Sequence, residues 1–285
     1  MRKVSFAALC VLAAVALTGC EKFNKSEVDK TIDGVNVIDA TNLNDIMLTV
    51  ADPNEAVLYF QNALQKEPDR IDFRRGLGKS LIRANRASEA ALVFETISKG
   101  KDATNEDHVD YADALLRTGD WKAAEAQLNL VPPTYETYRR YRLEAMVADS
   151  NKAWKKADSF YEVAVGLTTK PASVLNNWGY SKLSRGKYKE SEKLFLEAIT
   201  YDGKLFTAKN NLVLARAAQK NYTLPIINMT QIEKAELLHT LAISAIKQGD
   251  VAIGRGLLEE AIDAHPQHFD AAVRALETLN RKIST

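Results

Sequence analysis

Apolar residues recur along this chain at helical spacing in paired runs, and the clearest pair occupies Ala172–Leu205. Leu175, Trp178 and Gly179 mark one face of a first helix. Gly186-Lys187-Tyr188 breaks it, Ser191, Phe195 and Ala198 mark a second helix, and Asp202-Gly203 turns the chain again. A helix–turn–helix of about 34 residues cannot bury its own apolar face, so copies at the same period are expected on both sides.

They are found in phase with Gly179. Tyr141, Ala145, Trp154, Ala157, Tyr161 and Ala164 occupy the corresponding places of a unit over 138–171. Tyr111, Ala112, Leu115, Gly119-Asp120-Trp121, Ala124 and Leu128 do so over 105–137. Leu77, Gly78, Leu81, Ala90 and Phe94 mark 71–104, and Leu43, Ala56, Phe60, Ala63 and Pro68 mark 37–70. The span 37–205 thus holds five units.

Two places break the pattern. Val131-Pro132-Pro133 must stop the second helix of 105–137 early, because proline lacks the N–H donor and pushes the residue before it out of helical geometry. After Leu205 a helix is predicted through Asn210, Leu212 and Ala215, but Asn221–Ile227 replaces its partner with an extended connector, so 206–234 is a degenerate unit. Glu233–Gln248 restarts a helix, and Leu238, Leu241, Ala242, Gly249-Asp250, Leu258, Ala261 and Pro266 fit one more unit near 235–268. Phe269–Lys282, with Val273, Leu276 and Leu279 on one face, reads as a capping helix that completes the C-terminal segment 235–285.

The paired helices, with a small residue in the first and large apolar residues around it, resemble the tetratricopeptide repeat (TPR). That resemblance implies an all-α, right-handed solenoid of antiparallel helix hairpins with a C-terminal cap.

The N-terminus reads as an address. Arg2 and Lys3 precede an apolar run, Val4–Leu17, too short to span a bilayer, so 1–19 is expected to be a removed signal peptide. Leu17-Thr18-Gly19-Cys20 resembles the bacterial lipobox, which implies diacylglycerol on the Cys20 thiol, cleavage before it and acylation of the new amine. Several acyl chains hold a domain at a membrane far better than one. Glu21, where retained lipoproteins carry Asp, favours the periplasmic face of the outer membrane. The polar segment 20–36 then forms a flexible tether with a reach on the order of 20–25 Å.

Loss of the leader removes Cys10, Arg2 and Lys3, taking the formal charge from +1 to −1. With Cys20 alkylated, no thiol pair remains for a disulfide. Near-neutral charge offers no case for a nucleic-acid partner. No phosphate loop, nucleophile elbow or paired carboxylate suggests an enzyme, a cofactor or a small-molecule substrate. His265 and His268 stand three apart without an acidic or thiol ligand nearby, so no metal site is expected. Arg139-Arg140-Tyr141-Arg142 is the densest basic run and reads as a solvated helix face.

The remaining surface is the inner wall built by first helices, where TPR proteins hold partner peptides. Asn176, Asn177 and Tyr180 face Lys209, Asn210 and Asn211 of the next unit, and side-chain amides can hydrogen-bond an extended backbone. Asn176, Asn177, Tyr180, Asn210 and Asn211 are therefore the expected partner-binding groove. The same asparagines can also serve helix packing alone.

The layout of lipobox, tether and phased units carries a further resemblance when joined to certain C-terminal segments. These are Leu224-Pro225-Ile226, Met229-Thr230, Lys247-Gln248-Gly249-Asp250, Ile253-Gly254-Arg255 and His265–Ala272. Together they resemble the TadD family of tight-adherence (Flp) pilus assembly lipoproteins. The resemblance implies an accessory or pilotin of the outer-membrane secretin, binding the secretin or another pilus assembly component while lipid holds the pair at the membrane. An envelope scaffold that recruits peptidoglycan hydrolases or synthases is the alternative reading.

Overall fold

The structure, a computed structural model, describes residues 43–283. The leader, Cys20, the tether and the start of the first unit lie outside the described residues. All regular structure among the described residues is helical. Helix α1 spans 43–49, followed by α2 (Pro53–Lys66), α3 (Ile71–Arg83), α4 (Ala87–Ser98), α5 (Asn105–Thr118), α6 (Trp121–Asn129) and α7 (Tyr138–Ser150). Then come α8 (Trp154–Gly166), α9 (Ala172–Ser184), α10 (Tyr188–Tyr201), α11 (Phe206–Ala217), α12 (Gln231–Lys247), α13 (Val251–Ala264) and α14 (Asp270–Ile283).

The chain forms two compact bodies, one ending at Arg86 and the other starting at Ala87, so the division falls inside the unit expected over 71–104. In the first body α2 packs on α3, and the Phe60 ring fills the space over Gly76, where a Cβ would stand 2.4 Å from Cε1. Arg83 ties α1 to this pair by donating to the Met47 and Ala51 carbonyls, both at 2.7 Å.

In the second body α5 pairs with α6, α7 with α8, α9 with α10 and α12 with α13. First helices also stack sideways, α5 on α7, α7 on α9 and α9 on α11, which gives the body one face made of first helices. Equivalent positions carry equivalent loads. Ala112, Ala145, Gly179 and Ala242 are the buried small residues of first helices, and Leu128, Tyr161, Phe195 and Leu258 are the buried large ones of second helices.

The turn that ends a first helix has one recurrent device. Asn85, Gly119, Lys152, Gly186, Lys220 and Gly249 all adopt positive φ, between 57° and 87°. The residue after each returns its N–H to a carbonyl five positions back, as Lys187 does to Lys182 at 2.9 Å and Ala153 to Ala148 at 2.8 Å. This closes the first helix in a Schellman-type cap and reverses the chain. Lys220 keeps the turn in the degenerate unit, although no second helix follows.

There the connector 221–230 is irregular, as its sequence implies. Tyr222, Leu224 and Met229 pack against Val213, Ala217, Leu237 and Leu241 in place of a helix. A capping box of Thr230 and Glu233 then starts α12.

The proline pair shortens α6 to 9 residues. Arg140, buried to 7% exposure, donates Nη1 to the Pro132 carbonyl at 2.8 Å and the Tyr135 carbonyl at 3.2 Å, satisfying acceptors that a longer helix would have paired. Its Nε and Nη2 hold Glu144. Arg139 reaches the buried Asp110 at 2.5 Å, and Arg142 lies 3.8 Å from Asp113. The arginine run expected to be a solvated face is therefore a set of anchors to α5 and to the proline loop. Asp110 and Asp113, the carboxylates that Arg139 and Arg142 meet, come from another helix, α5.

Candidate functional site

The face of first helices opens into a groove of about 490 Å³. Met146 and Asp149 from α7, Asn176, Asn177, Tyr180 and Ser181 from α9, and Thr207 and Asn211 from α11 line it. Trp121, Trp154 and Tyr161 enter from second helices. Each tryptophan stands two residues after a left-handed turn, at Gly119 or Lys152, and lines the groove beside first-helix residues.

Four of the five expected groove residues meet here. Tyr180 is 58% exposed. The Asn211 amide donates to Asn176 Oδ1 at 3.0 Å, bridging α9 to α11, while Asn177 donates to Met146 Sδ at 3.4 Å. These asparagines therefore join neighbouring helices and also line the groove. Asn210 does not line it. One residue further round α11, it turns to α12 and accepts from Thr240 at 2.8 Å. Lys209 is buried in an ion pair with Glu233 at 2.9 Å.

Under the groove lies a polar floor that side-chain types alone did not reveal. Asp149 accepts from Ser181 Oγ at 2.7 Å and Tyr161 Oη at 3.0 Å. Burial raises its pKa, and these two hydrogen bonds offset that only in part. Behind it, Asp158 gathers Trp178 Nε1 at 2.7 Å, Lys182 at 3.1 Å and both terminal nitrogens of Arg185. Burial opposes ionisation of Asp158, but hydrogen bonds from Arg185, Trp178 and Lys182 outweigh it and hold the carboxyl at about 2. This cluster locks α8 to α9 and fixes the tilt of Trp178, which stacks on Tyr161.

No group of three or more potential metal ligands converges among the described residues. His265 stacks on Phe269, and His268 lies 3.9 Å from Asp270. No helix among the described residues is long and apolar enough to cross a membrane.

Residues 48–105 and 239–281 each match the tetratricopeptide repeat family. Both segments carry tetratricopeptide repeats. No curated protein matches the chain. Among solved structures, the chain is similar to a subunit of the APC/C hetero-tetramer Cut9-Hcn1, with TM-score 0.59 and 15% identity. That match covers 80% of this chain and 46% of the other, so the chain spans less than half of that relative. A tetratricopeptide repeat protein from Parabacteroides merdae is matched over 90% of this chain and 98% of its own, with TM-score 0.53 and 13% identity. Human IFIT1, solved as a dimer with PPP-AAAA, is matched over 81% and 60%, with TM-score 0.58 and 14% identity. At such identities the likeness is one of fold, and the TPR-like solenoid of paired helices is that fold. The repeat points to protein–protein interaction rather than catalysis.

Proposed function

We propose that this protein is a lipoprotein anchored through Cys20 at the periplasmic face of the outer membrane. It captures a protein partner in the groove along α7, α9 and α11 during assembly of a tight-adherence (Flp) pilus, as an accessory or pilotin of the secretin. The observation that carries the capture is the groove itself, where the half-buried amides of Asn176 and Asn177 and the exposed Tyr180 ring sit on a wall of stacked first helices, with Trp121 and Trp154 beside them from second helices. Amides suit an extended backbone, and aromatic rings supply contact area at low entropic cost. The membrane and pilus parts of the reading rest on Leu17–Cys20 and on the C-terminal segments that resemble TadD proteins. A tether holding the groove near the membrane raises the effective concentration of a membrane-bound partner, so modest affinity suffices.

A photo-crosslinking residue placed at Tyr180 in cells tests this. An adduct with the secretin or another pilus component is the expected result. An adduct with a peptidoglycan hydrolase or synthase would transfer the protein to the envelope-scaffold class. Absence of any adduct, with the protein folded and lipidated, would remove the groove from the proposal.

A further inference from the structure

We infer that the groove selects a segment carrying a basic side chain, lysine or arginine, flanked by apolar residues, and that Asp149 is the residue that reads it. This rests on the groove being the capture site. Asp149 is the only charged side chain among the groove's lining residues, and it lies at the floor with aromatic side chains around it. Its carboxylate accepts one hydrogen bond at each oxygen, from Ser181 and Tyr161. A carboxylate has about four lone-pair directions, so each oxygen keeps acceptor capacity for a guest.

Both present donors are neutral hydroxyls, so the negative charge of the floor is not cancelled by a bonded cation. Arg185 acts on Asp149 through its charge alone and makes no bond to it. Its guanidinium is committed elsewhere, with Nη1 and Nη2 on Asp158 and further bonds to Ser181.

The walls fit the same guest. Trp121 is 39% exposed and Tyr180 is 58% exposed, so both present accessible ring surface, while Met146 adds a polarisable side chain. The methylene stem of a lysine or arginine packs along such surfaces while its head seeks an acceptor, and ring faces attract the cation as well. An acidic segment meets the opposite situation, a carboxylate at the floor with no cation bonded to it and no lysine or arginine lining the groove to receive the segment. The guest's backbone is left to the half-buried amides of Asn176 and Asn177.

The test is selection of a randomised library of linear dodecapeptides on the purified protein, run in parallel on Asp149→Asn. Wild type is expected to enrich sequences with lysine or arginine beside apolar residues, and the variant to lose the basic preference while keeping the apolar one. Because Asp149→Asn alters a hydrogen-bonded floor, a second measurement leaves the protein untouched. A selected peptide and its copy with norleucine for the basic residue are titrated against wild type by tryptophan fluorescence. Weakening by tenfold or more is expected. Equal affinity of the two peptides, or selection without basic enrichment, overturns the inference while leaving groove capture standing. Failure to enrich any peptide overturns the inference, and the Tyr180 crosslink then decides separately whether the groove captures a folded partner.

Discussion

The ring of Phe195 occupies the space into which a side chain on Gly179 would grow. A Cβ there would lie 2.6 Å from Cε1 and 2.8 Å from Cδ1. Phe195 is fully buried and ordinary carbon contacts need about 3.5–4.0 Å, so α9 and α10 can hold their spacing only with glycine at this place. Gly179→Leu is expected to destabilise the protein by typically 1–3 kcal/mol or more. Urea unfolding would measure it, and Phe195→Leu in the same chain should recover part of the loss. An unchanged midpoint for the single variant would mean that this helix pair is not held as described.

Lys152 carries positive φ, 57°, at the turn where Gly119, Gly186 and Gly249 stand in other units. An L side chain in this region carries a penalty on the order of 1 kcal/mol, partly offset by the extra freedom glycine has when unfolded. Lys152→Gly should therefore raise stability by a few tenths to about 1 kcal/mol, whereas Gly186→Ala should lower it. Thermal unfolding of the two variants side by side checks the sign of each.

The Lys209–Glu233 pair is lopsided, with the lysine side chain 3% exposed and the carboxylate 19%. Glu233 also accepts from the Thr230 N–H at 2.7 Å at the start of α12. Glu233→Gln strands a buried ammonium and is expected to cost about 3 kcal/mol or more, whereas Lys209→Met removes the buried charge and leaves a carboxylate that water and the helix start still stabilise. Chemical denaturation should rank the glutamine variant as the weaker. The reverse order would contradict the burial assigned to Lys209.

His239 stands beside Phe269, ring centroids 5.5 Å apart, and burial lowers its pKa below the ordinary 6.5. The unfolded chain then binds the proton more readily than the folded one. Stability is complete above about 6.5 and falls as the pH drops below that value toward the lowered one. The melting temperature of wild type should decline from pH 7.5 to pH 5, and His239→Gln should flatten that decline. Parallel profiles for the two proteins would exclude this histidine as the source.

Cys20→Ser should leave a precursor that is neither lipidated nor normally processed, visible as a size shift and as loss from the membrane fraction. Wild-type size and fractionation in the variant would defeat the lipoprotein assignment.

The sequence by itself determined the repeat. The spacing of small and large apolar residues, the glycines at Gly119, Gly186 and Gly249, the proline stop and the missing second helix after Lys220 are all local or periodic signals. Periodicity reports which face of a helix is buried, because burial is set by the helix's own geometry. It does not report what the face is buried against. Arg139, Arg140 and Arg142 read as solvated until α5 supplied Asp110 and Asp113 and the proline loop supplied its carbonyls. Asn210 and Asn211 are neighbours in sequence, but about 100° of rotation on α11 sends one to Thr240 and the other to the groove. Asp149 was one carboxylate among many. Only the stacking of α7 on α9, with Tyr161 and Ser181 brought to its two oxygens and the tryptophans turned inward, made it the floor of a groove. Such contacts join residues from 8 to 35 positions apart on different elements, and they exist only once the helices are packed.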